Sequence, residues 1–403
     1  MGYPLQARST PPGNQDLQSV QRPGVARRPD WTCRQTAGMG GRRVGVEEEV
    51  LLVDPTTGEP REVSIAELRQ ADDAKYVLEA ELQRQQLETR TRPCSTLAEL
   101  ATELYRVRRV ASRAAQAAGV EVAALATSPL PVRPSPTLSE RYHRMAERFG
   151  VLADEQLTCG CHIHVQINSD EEGVAVLDRI RVWLPVLLAL SANSPFWQGQ
   201  DSGYASFRSE IWRRWPSAGP TEIFGSHAGY EAAVQEMLGT QTVLDPGMIY
   251  FDARLSQNVP TVEVRVCDVC LLSDDVVLLA ALTRGLVEMA AREWQAGWSP
   301  PRARVDLLRL SSWRAARFGL EGELIRPSTA CPAPTPTVVA ELVDHVRPAL
   351  ADAGDLPIVQ DLLAALLARG SGASTQREIH RRTGSLSAVV AQAVAHTVGG
   401  ARR

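Results

Sequence analysis

Glu47, Glu48 and Glu49 stand in a row inside the apolar segment Val44-Gly45-Val46-Glu47-Glu48-Glu49-Val50-Leu51-Leu52-Val53, where a hydrophobic strand should not carry them without a compensating cation. Side chains alternate faces along a strand, so Glu47 and Glu49 point one way and Glu48 the other. Two like charges on one face repel and are costly to desolvate, which suits a divalent metal between them. In isolation, a solvated edge strand with an acidic outer face reads the same way.

Recurrence separates the two readings. In Leu157-Thr158-Cys159-Gly160-Cys161-His162-Ile163-His164-Val165-Gln166-Ile167, His162 and His164 share the polar face and Cys159, Cys161, Ile163 and Val165 the apolar one. In Thr261-Val262-Glu263-Val264-Arg265-Val266-Cys267, Glu263 and Arg265 share a face against three valines, and Asp252-Ala253-Arg254 supplies a similar pair. A cross-strand salt-bridge ladder would explain Glu263 and Arg265 alone. Three strands with ionisable groups at i, i+2 instead predict an active-site floor. Carboxylates suit Mg²⁺ or Mn²⁺, and neighbouring arginines suit phosphates bridged by such ions. Zinc on Cys159, Cys161, His162, His164, Cys267 and Cys270 is the competing reading. Strand alternation disfavours it, because Cys159 and Cys161 face away from the histidines, Cys267 falls on the Glu263 face and Cys270 lies beyond the strand.

The 403 residues, 44% hydrophobic and 22% charged, describe an ordinary globular protein with room for a large core. A net charge of -4 indicates neither a nucleic-acid footprint nor a basic membrane-surface patch. Lys75 is the single lysine, so a Walker-type loop is excluded, and phosphate contacts fall to arginines and backbone amides. Seven cysteines without a signal segment predict a reducing, cytoplasmic setting.

The elements that must hold these groups follow from periodicity and turn chemistry. Residues 1–38 read as a disordered tail, with Met39 as an alternative start. After the first strand, Asp54-Pro55-Thr56-Thr57-Gly58 predicts a turn and a return strand from Arg61 to Ile65. Further strands are expected over 83–91, 121–127 and 157–168, with a hairpin over 247–268. Thr96-x-x-Glu99 opens an amphipathic helix to about Gly119, and another helix is expected over 171–193. From Asp274 the pattern is helical, apart from a Pro-rich linker beginning at Arg326. The organisation expected is α+β, an antiparallel sheet covered on one face, with a catalytic domain over 39–325 and the linker and last helices of 326–403 packed on it. The small polar run Gln200 to Ser209 suits a loop closing over a substrate carboxylate.

Gly45 to Glu49, Gln86 to Thr91, Cys159 to Val165, Gly199 to Ser206, Thr261 to Arg265 and Trp313 to Gly319, in this order along most of residues 42–320, resemble the carboxylate–amine ligases of the type-2 glutamate–cysteine ligase group. The resemblance implies a glutamine-synthetase-like curved antiparallel sheet whose concave face holds ATP and two or three Mg²⁺, with helices on the convex face. It implies that ATP phosphorylates a carboxylate and an amine displaces the phosphate, most simply glutamate's γ-carboxylate and cysteine's amine. Glu47, Glu49, Glu88, His162 and Glu263 would be metal ligands, with Glu81 as an addition and Glu48 a bystander. Arg265 would hold ATP phosphate, Arg208 and Arg254 the amino-acid carboxylate or transferred phosphoryl group, and Arg317 would join Arg265 as a cofactor contact. Small-molecule substrates are the implied partners, and a homodimer stays open. The hairpin departs from the group's pattern, with Phe251 before Asp252 and Leu255 where a proline is usual. The same ligation with another amine or acid is the alternative among enzymes, and a regulatory protein that binds nucleotide and metal without turnover is the reading from another class.

Overall fold

A computed structural model describes Trp31, residues 41–70 and residues 73–399. The tail over 1–38 and the start at Met39 therefore lie outside the described residues, apart from Trp31, which is buried with its ring against Gly45.

The chain opens with β1 (Val44–Val53), α1 (Ile65–Leu68), β2 (Leu78–Ala80) and β3 (Gln86–Arg90). The helix α2 (Leu97–Ala117) and the short β4 (Glu121–Ala123) follow, then α3 (Glu140–Phe149), α4 (Val151–Asp154) and β5 (Gly160–Gln166). Next come α5 (Asp170–Ile180), α6 (Leu184–Ser191), β6 (Phe196–Trp197), β7 (Gln200–Asp201), α7 (Phe207–Trp212) and α8 (His227–Gly239). The hairpin β8 (Ala253–Leu255) and β9 (Thr261–Asp268) leads into α9 (Ser273–Gln295) and α10 (Val305–Phe318). The chain closes with β10 (Glu323–Ile325), β11 (Pro332–Pro334), α11 (Thr335–Asp352), α12 (Leu356–Arg369), α13 (Gly372–Thr383) and α14 (Leu386–Val398).

The main sheet is wholly antiparallel in the order β2-β3-β1-β5-β9-β8, and β4 pairs with β1 beyond the end of β5. Its apolar face packs on α2, α6 and α9, with Cys161, Ile163 and Val165 and the three valines of β9 in one core. The opposite face carries the ionisable side chains. α5, α11 and α12 pack on α9, while α14 lies on β4 and α2.

Several expected boundaries move for local reasons. The return strand expected from Arg61 to Ile65 shrinks to a bridge between Val53 and Pro60 and a bond from the Arg61 amide to the Leu52 carbonyl, and α1 starts at Ile65, where the Ser64 hydroxyl caps it by accepting from the Ala66 amide. The helix expected over 171–193 breaks in two, since Pro185 has no amide hydrogen and fits only the first turn of α6. β10 and β11 pair across the Pro-rich segment. Thr96 does cap α2, with its hydroxyl accepting from the Glu99 amide at 3.2 Å, while the Glu99 carboxylate takes the Ser95 amide at 2.9 Å.

Candidate active site

Sheet pairing aligns the acidic and basic groups strand by strand. Glu47 lies opposite Arg90 on β3 and His162 on β5, Glu49 opposite Glu88, His164 opposite Glu263, and Glu263 opposite Arg254. Like charges directly opposite each other on antiparallel strands are destabilising, so Glu49 against Glu88 marks a place where a cation is wanted.

These side chains line one cavity of about 1100 Å³. Glu47, Glu49, Glu81, Glu88, His162, Glu263, Arg254 and Arg265, all named from the sequence, meet there. Two groups could each hold a metal ion: Glu47 with His164 and Glu263, and Glu49 with Glu81 and Glu88, the ligand atoms in each lying within 4.8 Å of one another. His164 thus joins the first group, and its Nδ1 is tied to Thr261 Oγ1 at 3.0 Å, leaving Nε2 free to face Glu47 at 3.4 Å. His162 sits between the groups, 3.9 Å from Glu47 and 3.8 Å from Glu49. The Nε2 atoms of both histidines are buried without a hydrogen-bond partner, as expected of imidazoles aimed at a ligand. Neither group contains a cysteine, and Cys159, Cys161, Cys267 and Cys270 are buried free thiols in the core. Cys267 leaves the Glu263 face because pairing slips by one residue between Cys161 and Ile163, a bulge that places it opposite Cys161.

The electrostatics divide the site. Burial pushes the Glu81 carboxyl up to about 7, helped by the charge of Glu49, and burial with the charges of Glu47 and Glu81 pushes Glu88 well above the usual range. Arg90, 3.5 Å from Glu88, offsets this repulsion only in part. In the other group, burial would raise Glu47, but His164 and then His162 outweigh it and hold the carboxyl well below its ordinary value. Burial is likewise overcome at Glu263 by Arg254 and Arg265, so it stays ionised. Arg254 donates to Glu263 at 2.8 Å, and Arg265 bonds the same carboxylate. Burial and the charge of Arg265 lower His162, keeping a neutral imidazole suited to ligation.

Arg208 and Arg317 do not line the cavity. Arg208 is buried beside Gly160 on the side of the sheet that carries His162, where it donates to the carbonyls of Arg265 and Val266 at 3.3 Å and lies 3.8 Å from Asp268. It braces the strand that aims Arg265. Arg317 stacks over Tyr204 and Phe318. The run from Gln200 to Ser209 is not a lid over the cavity either: Asp201 pairs with Arg377 on α13, the Ala205 and Ser206 amides bond Ala316 on α10, and the Ser206 hydroxyl bonds Asp268. Glu48 stays outside both metal groups and the cavity, as strand alternation predicts, but it is not left unpartnered. It is buried on the opposite face, 2.6 and 2.9 Å from the guanidinium of Arg108 on α2.

Gly160 tests the Arg208 brace. A Cβ there would lie 2.3 Å from Arg208 Nη2, and the guanidinium is held too firmly to yield freely. Gly160→Ala is expected to cost about 1–3 kcal/mol of stability, read as a lower unfolding midpoint, and an unshifted midpoint would show that Arg208 moves without penalty.

The sequence left other lining residues unassigned. Arg69, Lys75, Glu79 and Arg90 surround one end, and Tyr142, Met145, Trp212, Trp215 and Tyr250 another. Trp212 and Trp215 follow the run from Gln200 to Ser209, and Tyr142 and Met145 arrive on α3, a helix with no expected counterpart.

Residues 43–392 match the family described as Glutamate-cysteine ligase family 2 (GCS2). Over 361 residues the chain is 57% identical to a Streptomyces avermitilis protein named "Putative glutamate--cysteine ligase 2-1", covering 89% of this chain and all of that one. It is also 57% identical to the Streptomyces coelicolor "Putative glutamate--cysteine ligase 2", covering 88% and 99% of the two chains. Among solved structures, the glutamate–cysteine ligase of Francisella tularensis in complex with AMP aligns with a TM-score of 0.63 at 12% identity, covering 89% of each chain. The bifunctional glutathione synthetase of Pasteurella multocida aligns with a TM-score of 0.64 at 16% identity, covering 89% of this chain, which spans about half (52%) of that one. The fold is that of the glutamine-synthetase-like ligases, an unclosed antiparallel sheet with helices. The chain belongs to glutamate–cysteine ligase family 2.

Proposed function

We propose that this ligase activates a carboxylate with ATP and joins it to an amine, with glutamate's γ-carboxylate as the acid, and with cysteine, on the names of the relatives, as the first amine to test. The observation that carries this reading is the placement of two acidic ligand groups side by side on one sheet face, with Arg254 and Arg265 among them. Hard carboxylate oxygens fit Mg²⁺ or Mn²⁺. When bound, the ions would neutralise charge on the transferring γ-phosphoryl group. Glu47, His164 and Glu263 would hold one, and Glu49, Glu81 and Glu88 another, with His162 between them.

Arg265 and Arg254 are fixed by Glu263, so their charge is oriented in advance toward oxygens of the phosphoryl group and of the tetrahedral carbon. The carboxylate oxygen takes the γ-phosphoryl group and ADP departs. The amine nitrogen then bonds the carbonyl carbon, the phosphate leaves with the carbon–oxygen electron pair, and the amine proton passes to phosphate or a carboxylate. The substrates are small molecules, and a cytoplasmic setting follows from the ligation chemistry; no helix among the described residues is long and apolar enough to cross a membrane.

ADP release measured with ATP, Mg²⁺ and pairs of amino acids, with products identified by mass, tests this reading. Stimulation by glutamate plus an amine is expected, and the absence of any stimulating pair would sink it. Independently of turnover, Mg²⁺ at a hundredfold excess over its Kd is expected to stabilise the fold by about 2.7 kcal/mol, and a melting temperature indifferent to Mg²⁺ would count against both metal groups.

A further inference from the structure

Among the described residues that line the cavity, only Trp31 lies outside residues 43–392, the span that matches the family. Its contact with β1 shows how a residue ahead of that strand reaches the floor. Gly45 shares a face with Glu47 and Glu49, so a side chain there would project into the cavity, and glycine leaves that place open. The Trp31 ring takes it: a Cβ on Gly45 would lie 3.2 Å from Cζ2 and 3.4 Å from Cη2 of the indole. With 6% of its surface exposed, Trp31 is packed into the wall and gives a ligand little to stack on.

The register of the sheet says what the ring covers. Gly45 lies opposite His164 on β5, and His164 opposite Glu263 on β9. Trp31 therefore flanks the Glu47, His164 and Glu263 group, whose Glu263 carboxylate also holds Arg254 and Arg265. On the other side Thr91 Oγ1, which accepts from the Val46 amide, lies 3.8 Å from the same Cβ position. The aromatic wall of Tyr142, Trp212, Trp215 and Tyr250 encloses another end of the cavity. Water at the Gly45 flank would have two effects. It would weaken the attraction of the acids for an ion by raising the local dielectric, and it would compete with the amine as a nucleophile.

We propose that Trp31 is a water-excluding wall residue of the active site, whose ring keeps solvent from the Glu47, His164 and Glu263 group so that the activated carboxylate is captured by the amine and not by water. This rests on the ligase reading above. In the productive route the amine nitrogen bonds the acyl carbon of the γ-glutamyl phosphate, phosphate leaves with the carbon–oxygen electron pair, and the nitrogen's proton passes to phosphate or a carboxylate. In the wasteful route a water oxygen bonds the same carbon, phosphate leaves, and glutamate is regenerated, so that ATP is spent without product. Trp31 acts on the partition between these routes and touches neither nucleophile.

The full-length chain is given glutamate, ATP, Mg²⁺ and sub-saturating hydroxylamine, and ADP released is compared with γ-glutamyl hydroxamate formed. Absence of hydroxamate from the parent overturns both the ligase reading and this inference. With hydroxamate formed, Trp31→Ala is expected to raise the ratio of ADP to hydroxamate about fivefold or more, while Trp31→Phe, which keeps a ring at Gly45, recovers most of the coupling. Partial unfolding would lower both products together and leave the ratio where it was. Gly45→Ala strikes the same contact from the strand, since its methyl group must push the ring back, and should raise the ratio too. Independently of turnover, Mn²⁺ binding followed by calorimetry is expected to weaken about threefold in Trp31→Ala. A ratio unmoved in both Trp31→Ala and Gly45→Ala, faster hydroxamate formation in Trp31→Ala at an unchanged ratio, or an unaltered Mn²⁺ affinity overturns the shielding role and leaves the ligase reading intact.

Discussion

Glu47→Gln is expected to lower ADP release by roughly 100- to 1000-fold, the range seen when one fixed electrostatic contact to a developing charge is lost. The exchange keeps the shape of the side chain and removes only its charge. Glu47 carries that charge at the middle of the site: it faces His162 and Arg90 across its two neighbouring strands, and His164 lies 3.4 Å away. The histidines keep it ionised in spite of burial, so at working pH it is an anion that glutamine cannot replace. Folding should survive, because Glu47 is 27% exposed and no buried cation depends on it alone. Glu263→Gln should abolish turnover as well, but it strips Arg254 and Arg265 of their shared partner and so mixes catalysis with stability. Turnover and melting temperature measured on both variants separate the effects. Wild-type rates in both would refute the metal assignment.

The second large effect is structural and lies on the other face of the same strand. Arg108→Ala is expected to cost about 3–5 kcal/mol, because it abandons a buried carboxylate. Glu48 and Arg108 are only 1% and 2% exposed, and Arg108 also donates to the carbonyls of Cys270 and Leu271 at 2.7 and 3.2 Å. Removing the cation therefore leaves three acceptors unmet. The double variant Glu48→Gln with Arg108→Met should recover part of the loss, since an apolar replacement removes the uncompensated charge. Denaturant midpoints for the three proteins check this, and a single variant as stable as the parent would show that water reaches Glu48.

Much of the cavity floor was legible because strand alternation is a local rule. Glu47 with Glu49, His162 with His164 and Glu263 with Arg265 need only a period of two to share a face, and the sheet then brings those faces together. The partner of Glu48 was not legible, since Arg108 lies on a helix 60 residues away and nothing local links them. The side of Cys267 was misread because a bulge inverts the alternation without a glycine or proline to announce it. Arg208 fitted a phosphate or carboxylate contact by type, yet tertiary packing turned its guanidinium toward the backbone carbonyls of Arg265 and Val266, outside the cavity lining. The aromatic wall was the least visible part. Its rings come from α3, α7 and the segments after α7 and before β8, so only the folded chain shows that they share a cavity.

The pairing of Glu48 with Arg108 has a consequence for how the strand finds its place. Three identical residues in a row hide a shift of one position from Arg108: sliding β1 by a single residue would put Glu47 or Glu49 in the place of Glu48, and the guanidinium would still meet a carboxylate. The cost of such a slip falls on the cavity instead, where Val46 or Val50 would replace one of the two acids. Arg108, held to two carbonyls and one carboxylate in a buried interior, therefore ties β1 to α2 without choosing among the three glutamates. The choice is made by the valines that bracket the triplet, which belong in the core and so set which two acids are left for the floor.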